Sequence, residues 1–461
     1  MVTTMDFNKL FKLSDRGTDV KTELIAGCTS FVTIAYILAV NPAILADSGM
    51  PAPAVFTATA LIGFLGTLIM GLLTNYPFML APSMGLNAYF AYTVCMTMGY
   101  SWEVGLAAIV VEGILFLLIS MTKLRDLLFN AIPFNLKMAI TVGIGLFITI
   151  IGLKNSGIMV AHPATYVSMI SFHQAHVDGT FSTAGITALL SAAGIVITCI
   201  LMCKNVKGNI LLGILITWAL GMICEMAGIY VPNPAEGYFS VIPNGIVSMP
   251  APISDVAFHL DFSQVANVGF VVVVIAFLFT NLFDTLGTLI ATGAKADLLD
   301  EDGNLPELKG SLLAQSLTII CCGLLGTSPT AVSVECAAGI AEGGRTGLTS
   351  IAAAVLFLLS LFLSPIFLAI PGWATAPALI IVGFLMMTAI TAVDLNDFTE
   401  AMPAFFTFIA MPFFYSIAEG IAAGIISYVL INALTGAENR KKISPVMWVL
   451  AILMVAKYFF I

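Results

Sequence analysis

Glu335, Asp284 and Asn87 are polar groups placed inside stretches that are otherwise apolar, and their types and spacing suit the binding of a polar ligand. Glu335 lies in GTSPTAVSVECAAGIAEGGRTG, residues 326–347, six residues after Pro329. A proline and a run of small residues break a helix there, and a helix restarting under a Ser333 or Thr330 cap would hold Glu335 about one turn inside. Backbone N–H groups freed at such a start can donate to a ligand, while the carboxylate accepts from the ligand's own N–H groups. Asp284 sits in VVVVIAFLFTNLFDTLGTLIATG, with Thr280, Asn281 and Thr288 three or four residues away on its helical face. Asn87, five residues after Pro82 in FMLAPSMGLNAYFAY, offers an amide that both donates and accepts, and Phe90 three residues on offers a stacking face. Each has a plainer alternative: Asp284 or Asn87 as a bridge between helices, Glu335 as relief for unpaired amides, Phe90 as packing.

Other acidic groups read as supporting ones. Glu342 and Arg345, at the end of the Glu335 stretch, read as an ion pair or gate. Glu112 in VVEGILF and Glu419 near the C-terminus read as packing or gating residues. His162, His173, His176 and His259 all fall in polar loops, and neither HExxH nor GxSxG is present. The sequence therefore reads as a non-enzyme without a metal site.

The elements that must position these groups are membrane spans. Of 461 residues 59% are hydrophobic and 9% charged, against roughly 25% charged in soluble proteins. Apolar runs of span length recur at about 22–46, 54–73, 77–99, 104–121, 134–153, 184–203 and 209–230. A second set follows at about 265–292, 311–327, 330–342, 347–370, 374–392, 398–415 and 417–435, where 398–435 reads as two half-length helices meeting near Ser416–Gly420. The polar segment 1–21 has no apolar core and cleavage site, so no signal peptide is expected. Residues 436–461 carry Arg440, Lys441 and Lys442, then an interfacial helix or a last span. The eight cysteines sit in or beside apolar runs, so neither disulfide nor zinc is expected. Net charge is −9 without a basic cluster, which excludes nucleic acid and leaves lipid and a small solute as partners. Lys9, Lys12, Arg16 and Lys21, then Lys123 and Arg125, then Lys204 and Lys207 put the N-terminus on the cytoplasmic side by the positive-inside rule.

The two sets form a seven-plus-seven repeat, and an odd number per repeat inverts the second copy. The third member of each is broken by proline and then starts a helix, at Pro82–Asn87 and at Pro329–Glu335. The expected fold is thus an all-α polytopic membrane protein of fourteen segments in two inverted repeats.

FVTIAYILAVNPAIL, PSMGLNAYFAYTV, NLFDTLGTLIATG and TSPTAVSVECAAGIAEGGRTGLTS, in that order, resemble the AzgA-like purine permeases of the nucleobase–ascorbate transporter (NCS2) family, from about Lys21 to the C-terminus. The resemblance implies a transporter domain at 22–435, with a core (about 22–121 and 265–370) and a gate (about 134–230 and 374–435). It implies short extended stretches crossing at mid-membrane in spans 3 and 10, and substrate contacts from Asn87, Asp284 and Glu335. Asn281, Thr288, Ser333 and Phe90 would support them or the proton coupling. Cys336 and Ala337 after Glu335 replace the Asn and Gly of the uracil and xanthine branches. The implied activity is import of guanine, hypoxanthine or adenine across the cell membrane, driven by the proton-motive force with H⁺ rather than Na⁺ and no cofactor. A homodimer is compatible with it. The alternative is another solute on the same fold, uracil, xanthine or an inorganic anion; the clustering of polar groups at one depth disfavours a channel.

Overall fold

The structure is a computed structural model that describes residues 7–122, 132–300 and 305–460; Lys123 and Arg125, used above for orientation, lie outside them. Asp19 starts the first span by accepting a hydrogen bond from the Thr22 N–H at 3.0 Å, which caps α1, Val20–Ile34. The helix is interrupted at Ala35–Tyr36 and resumes as α2, Ile37–Ala46. Then come α3 (Ala52–Thr74), the strand β1 (Leu80–Pro82), the short α4 (Met84–Ala88) that continues as a wider helix over Tyr89–Thr97, and α5 (Trp102–Ser120). After α6 (Phe134–Asn155) an antiparallel hairpin, β2 (Met159–His162) with β3 (Tyr166–Met169), occupies part of the polar loop that carries His162. α7 (Ile186–Cys203) and α8 (Asn209–Met226) close the first set.

The second set repeats the order: α9 (Val268–Lys295), α10 (Leu308–Leu325), β4 (Thr330–Val332), the short α11 (Cys336–Ala341), α12 (Gly347–Ser360), α13 (Gly372–Met387), α14 (Phe398–Phe413) and α15 (Ile417–Leu434). Among the described residues eleven helices are long and apolar enough to cross a membrane. The two proline-broken segments and the 16-residue α14 complete the fourteen. The reading of 398–435 as two half-length legs is corrected in part, because α15 alone has 18 residues and qualifies as a span. A last helix, α16 (Pro445–Phe460), runs back along α15, and the Tyr458 hydroxyl near its end donates to Glu419 near the start of α15.

Two sets of helices pack mainly within themselves. α1, α3 and α5 pack with α9, α10, α11 and α12, while α6 packs with α13 and α14, α7 with α8 and α13, and α14 with α15. Small residues let the backbones approach: a Cβ on Gly71 of α3 would lie 2.8 Å from the Gly347 carbonyl oxygen of α12. Both broken segments stop where they do for a local reason. Gly326 ends α10 in the left-handed region at φ 82°, and Pro82 and Pro329 lack the N–H that a continuing helix would need.

Candidate functional site

The strands of the two broken segments pair antiparallel, Leu80 with Val332, Ala81 with Ala331 and Pro82 with Thr330. Each strand gains one more bond beyond its end, Ser83 N–H to the Pro329 carbonyl at 3.1 Å and Ser333 N–H to the Met79 carbonyl at 3.0 Å. The backbone groups freed by the breaks thereby satisfy each other, which is what makes extended chain tolerable in the interior of a span. Next to this crossing is a cavity of about 100 Å³, walled by the α1–α2 junction, β1, β4, α9 and α13.

Two carboxylates line it, Asp284 from α9 and Glu335 from the start of α11. Asp284 Oδ2 accepts from Ser83 Oγ at 3.2 Å. Glu335 Oε1 accepts from the Tyr36 hydroxyl at 2.6 Å, and its Oε2 accepts from Ser333 Oγ. Ionised, each carboxylate retains lone pairs after these bonds and so can accept from N–H groups of a ligand. Ile34, Met84, Val382 and Met386 supply apolar walls, and among the described residues the lining has neither Lys nor Arg. Tyr36 and Ser83 were missed in the sequence reading. The signal for Ser83 was its place directly after a broken stretch, matching Ser333 directly after β4; Tyr36, inside an apolar run, carried none.

Several sequence-derived positions move. Glu335 stands at the N-cap position of α11 rather than one turn inside it, since the helix begins at Cys336. Asn87 is fully buried and lies outside the cavity lining: its Nδ2 donates to Asn41 Oδ1 at 3.1 Å. Asn41 also donates to Thr59 and Thr327 and accepts from Ser328, so this amide joins α2, α3, α4 and the approach to β4. Phe90 is buried against Gly105 of α5 and Thr288 is buried on α9, both away from the cavity lining. Asn281 faces Glu112 and Gln315 instead of the cavity. Glu342 pairs with Lys207, between α7 and α8, rather than with Arg345. The Arg345 guanidinium folds back onto the carbonyls of Ile340 at 2.6 Å and Gly344 at 2.8 Å.

A multi-pass helical bundle in which two broken segments of a repeat cross beside a cavity lined by two carboxylates is the architecture of a secondary transporter. The chain belongs to the Permease family, which it matches over residues 21–423. It is 41% identical over 453 residues to the adenine permease AdeP of Escherichia coli (strain K12), covering 98% of this chain and 96% of that one. It is 39% identical over 457 residues to the guanine/hypoxanthine permease PbuO of Bacillus subtilis (strain 168), covering 98% and 100%. Among solved structures, the transmembrane domain of a cyanobacterium bicarbonate transporter BicA superposes with TM-score 0.58 at 15% identity, over 88% of this chain and 97% of that one. Murine Slc26a9, an anion transporter in the inward-facing state, gives 0.59 at 13%, over 90% and 68%. These two likenesses are of fold alone.

Proposed function

We propose that this protein imports purine nucleobases across the cell membrane by proton symport. The observation that carries the reading is the cavity itself: two acceptor carboxylates, both from the second set of segments, apolar walls, and no cationic side chain among the described lining residues. A neutral purine offers ring and exocyclic N–H donors that match such a lining, whereas an inorganic anion calls for cationic or N–H donors. The relatives named for adenine and for guanine/hypoxanthine support the same substrate class. The test is uptake of labelled hypoxanthine in a strain lacking purine permeases, with guanine, adenine, xanthine and uracil as competitors and with an uncoupler. Competition by uracil or xanthine but not by guanine, hypoxanthine or adenine would replace the substrate assignment; uptake indifferent to the uncoupler would remove the proton.

Asp284 is the proposed coupling acid, and Glu335 the principal ligand for the base. In an Asp284→Asn chain, accumulation against a gradient is expected to fall on the order of tenfold or more and to lose its response to the uncoupler, while exchange of labelled for unlabelled base persists. Unchanged accumulation with an unchanged pH profile would reassign the proton. Alternating access in this reading moves the α1–α5/α9–α12 set against the rest, and Lys207–Glu342 closes the seam on the cytoplasmic side. A Lys207→Cys/Glu342→Cys pair is accordingly expected to block uptake when oxidised and to release it on reduction. Uptake untouched by a disulfide verified on a gel would mean that this seam stays closed through the cycle. The N-terminus on the cytoplasmic side and a homodimeric assembly belong to the same proposal, and accessibility labelling and cross-linking in membranes test them.

A further inference from the structure

Glu112 lies in the middle of α5, fully buried and outside the cavity lining. Its Oε1 accepts from Asn281 Nδ2 at 3.0 Å. Asn281 Oδ1 accepts in turn from Gln315 Nε2 at 3.0 Å and from Thr285 Oγ1 at 3.2 Å, and Gln315 Nε2 also donates to the Thr330 carbonyl of β4. The side chains thus run in one line from α5 through α9 and α10 to β4. Both ends of that line matter to the transport site. Asn281 stands one turn before Asp284 on α9, and Thr330 opens the strand that leads to Ser333 and Glu335.

The chemistry of position 112 is that of an acceptor held in place. Glu112 Oε2 and Gln315 Oε1 are buried without hydrogen-bond partners, and among the described residues no Lys or Arg forms an ion pair with Glu112. An ionised carboxylate with a single donor and no cation is far too costly in such a place, so the neutral acid is the form that fits. What the surroundings draw from it is a carbonyl-type oxygen for Asn281 Nδ2. Without that oxygen the amide donor of Asn281 is left buried and unpaired, and the amide loses the bond that fixes its orientation toward Gln315. An amide holds geometry and does not pass protons along, so Glu112 acts on Asp284 through position rather than proton transfer.

We propose that Glu112 is a positioning residue of the transport site, setting through Asn281 and Gln315 the placement of the two elements that carry Asp284 and lead to Glu335. The proposal rests on the transport reading above. Glu112→Met keeps the volume and removes the acceptor; Glu112→Gln keeps the acceptor and removes the acid. With labelled hypoxanthine in proteoliposomes, E112M is expected to raise KM about tenfold with the maximal rate within about twofold, and E112Q to stay within about twofold of wild type in both. Gln315→Met breaks the same line at its next link and is expected to match E112M, with nothing added in the double variant.

An E112M chain with wild-type KM, an E112Q chain as impaired as E112M, or additive effects in the double variant overturns the proposal. If E112M fails to reach the membrane, E112Q against Q315M carries the same comparison. A wild type that moves no nucleobase removes the transport reading instead. Position is then read without substrate, from the maleimide labelling rate of Val334→Cys beside Glu335, with the chain lacking that cysteine as blank. A rate altered in E112M and Q315M but not in E112Q upholds the role of Glu112, and equal rates in all of them end it.

Discussion

Glu335→Gln is expected to reduce hypoxanthine uptake on the order of a hundredfold or more while the protein reaches the membrane in normal amount. The carboxylate accepts on both oxygens, from the Tyr36 hydroxyl on one and the Ser333 hydroxyl on the other. An amide has only one acceptor oxygen. Whichever way it is turned, an NH₂ group faces either a hydroxyl that had been donating or the N–H groups of the base, and a site built to hydrogen-bond its ligand discriminates steeply when one partner is wrong. Initial uptake rates normalised to an immunoblot of the membrane fraction give the measurement. Rates near wild type in Glu335→Gln would mean that the base does not bind at this carboxylate, and Tyr36→Phe provides the internal control: it removes one donor to Glu335 and leaves both acceptor oxygens in place, so its loss should be much smaller.

The second large effect lies far from the cavity and acts on the fold. Glu23 of α1 is fully buried and gathers donors from the start of α12: Arg345 N–H at 2.8 Å, Thr346 N–H at 3.3 Å and its hydroxyl at 2.8 Å, Thr349 N–H at 3.1 Å and its hydroxyl at 2.6 Å. One carboxylate thus serves orphan amides at the start of α12, where the helix dipole also favours a negative charge. Glu23→Ala removes all five bonds at once and leaves those donors buried, so a loss of about 3–5 kcal/mol in stability is expected. Glu23→Gln, with one acceptor oxygen, should fall between. Melting of the purified protein in detergent checks it, together with the yield of monodisperse material. The pattern should be the reverse of that for Glu335→Gln: little protein, but a nearly normal KM in what remains. Normal melting in Glu23→Ala would show that water or a rearranged loop takes over those donors.

Asp284 and Glu335 were legible in the sequence because a carboxylate inside an apolar run has few reasons to exist, and Pro82 and Pro329 because a helix cannot run through them with its hydrogen bonds intact. Eleven of the segments were legible from length and hydropathy, and the two broken ones from their prolines. What the sequence hid was partner choice. Asn87 could turn to a ligand or to another buried amide; its Nδ2 donates to Asn41, forty-six residues away, while its Oδ1 is buried without a hydrogen-bond partner among the described residues. Tyr36 looks like packing until Glu335 comes within 2.6 Å of its hydroxyl, across 299 residues of chain. Arg345 was the obvious partner for Glu342 by proximity. Gly343, at φ 102°, turns the chain after α11, and the guanidinium closes on carbonyls at the end of that short helix, leaving Glu342 to Lys207. The bounds of α15 were legible, 417–435 against Ile417–Leu434, but a helix of 18 residues was read as half a crossing although it is long and apolar enough for a whole one.

The pairing of β1 with β4 joins residues roughly 250 positions apart, and this constrains how the protein is made. While the ribosome is still on the first repeat, Leu80–Pro82 is a stretch of bare backbone at the level of the lipid chains, with no partner strand yet in existence. The first repeat therefore leaves biosynthesis as an unfinished membrane domain, and its third segment has to be sheltered, or held back from the bilayer, until Thr330–Val332 arrives. Assembly of the crossing is a late event whose failure would strand an intact, correctly translated chain in the membrane without a binding site.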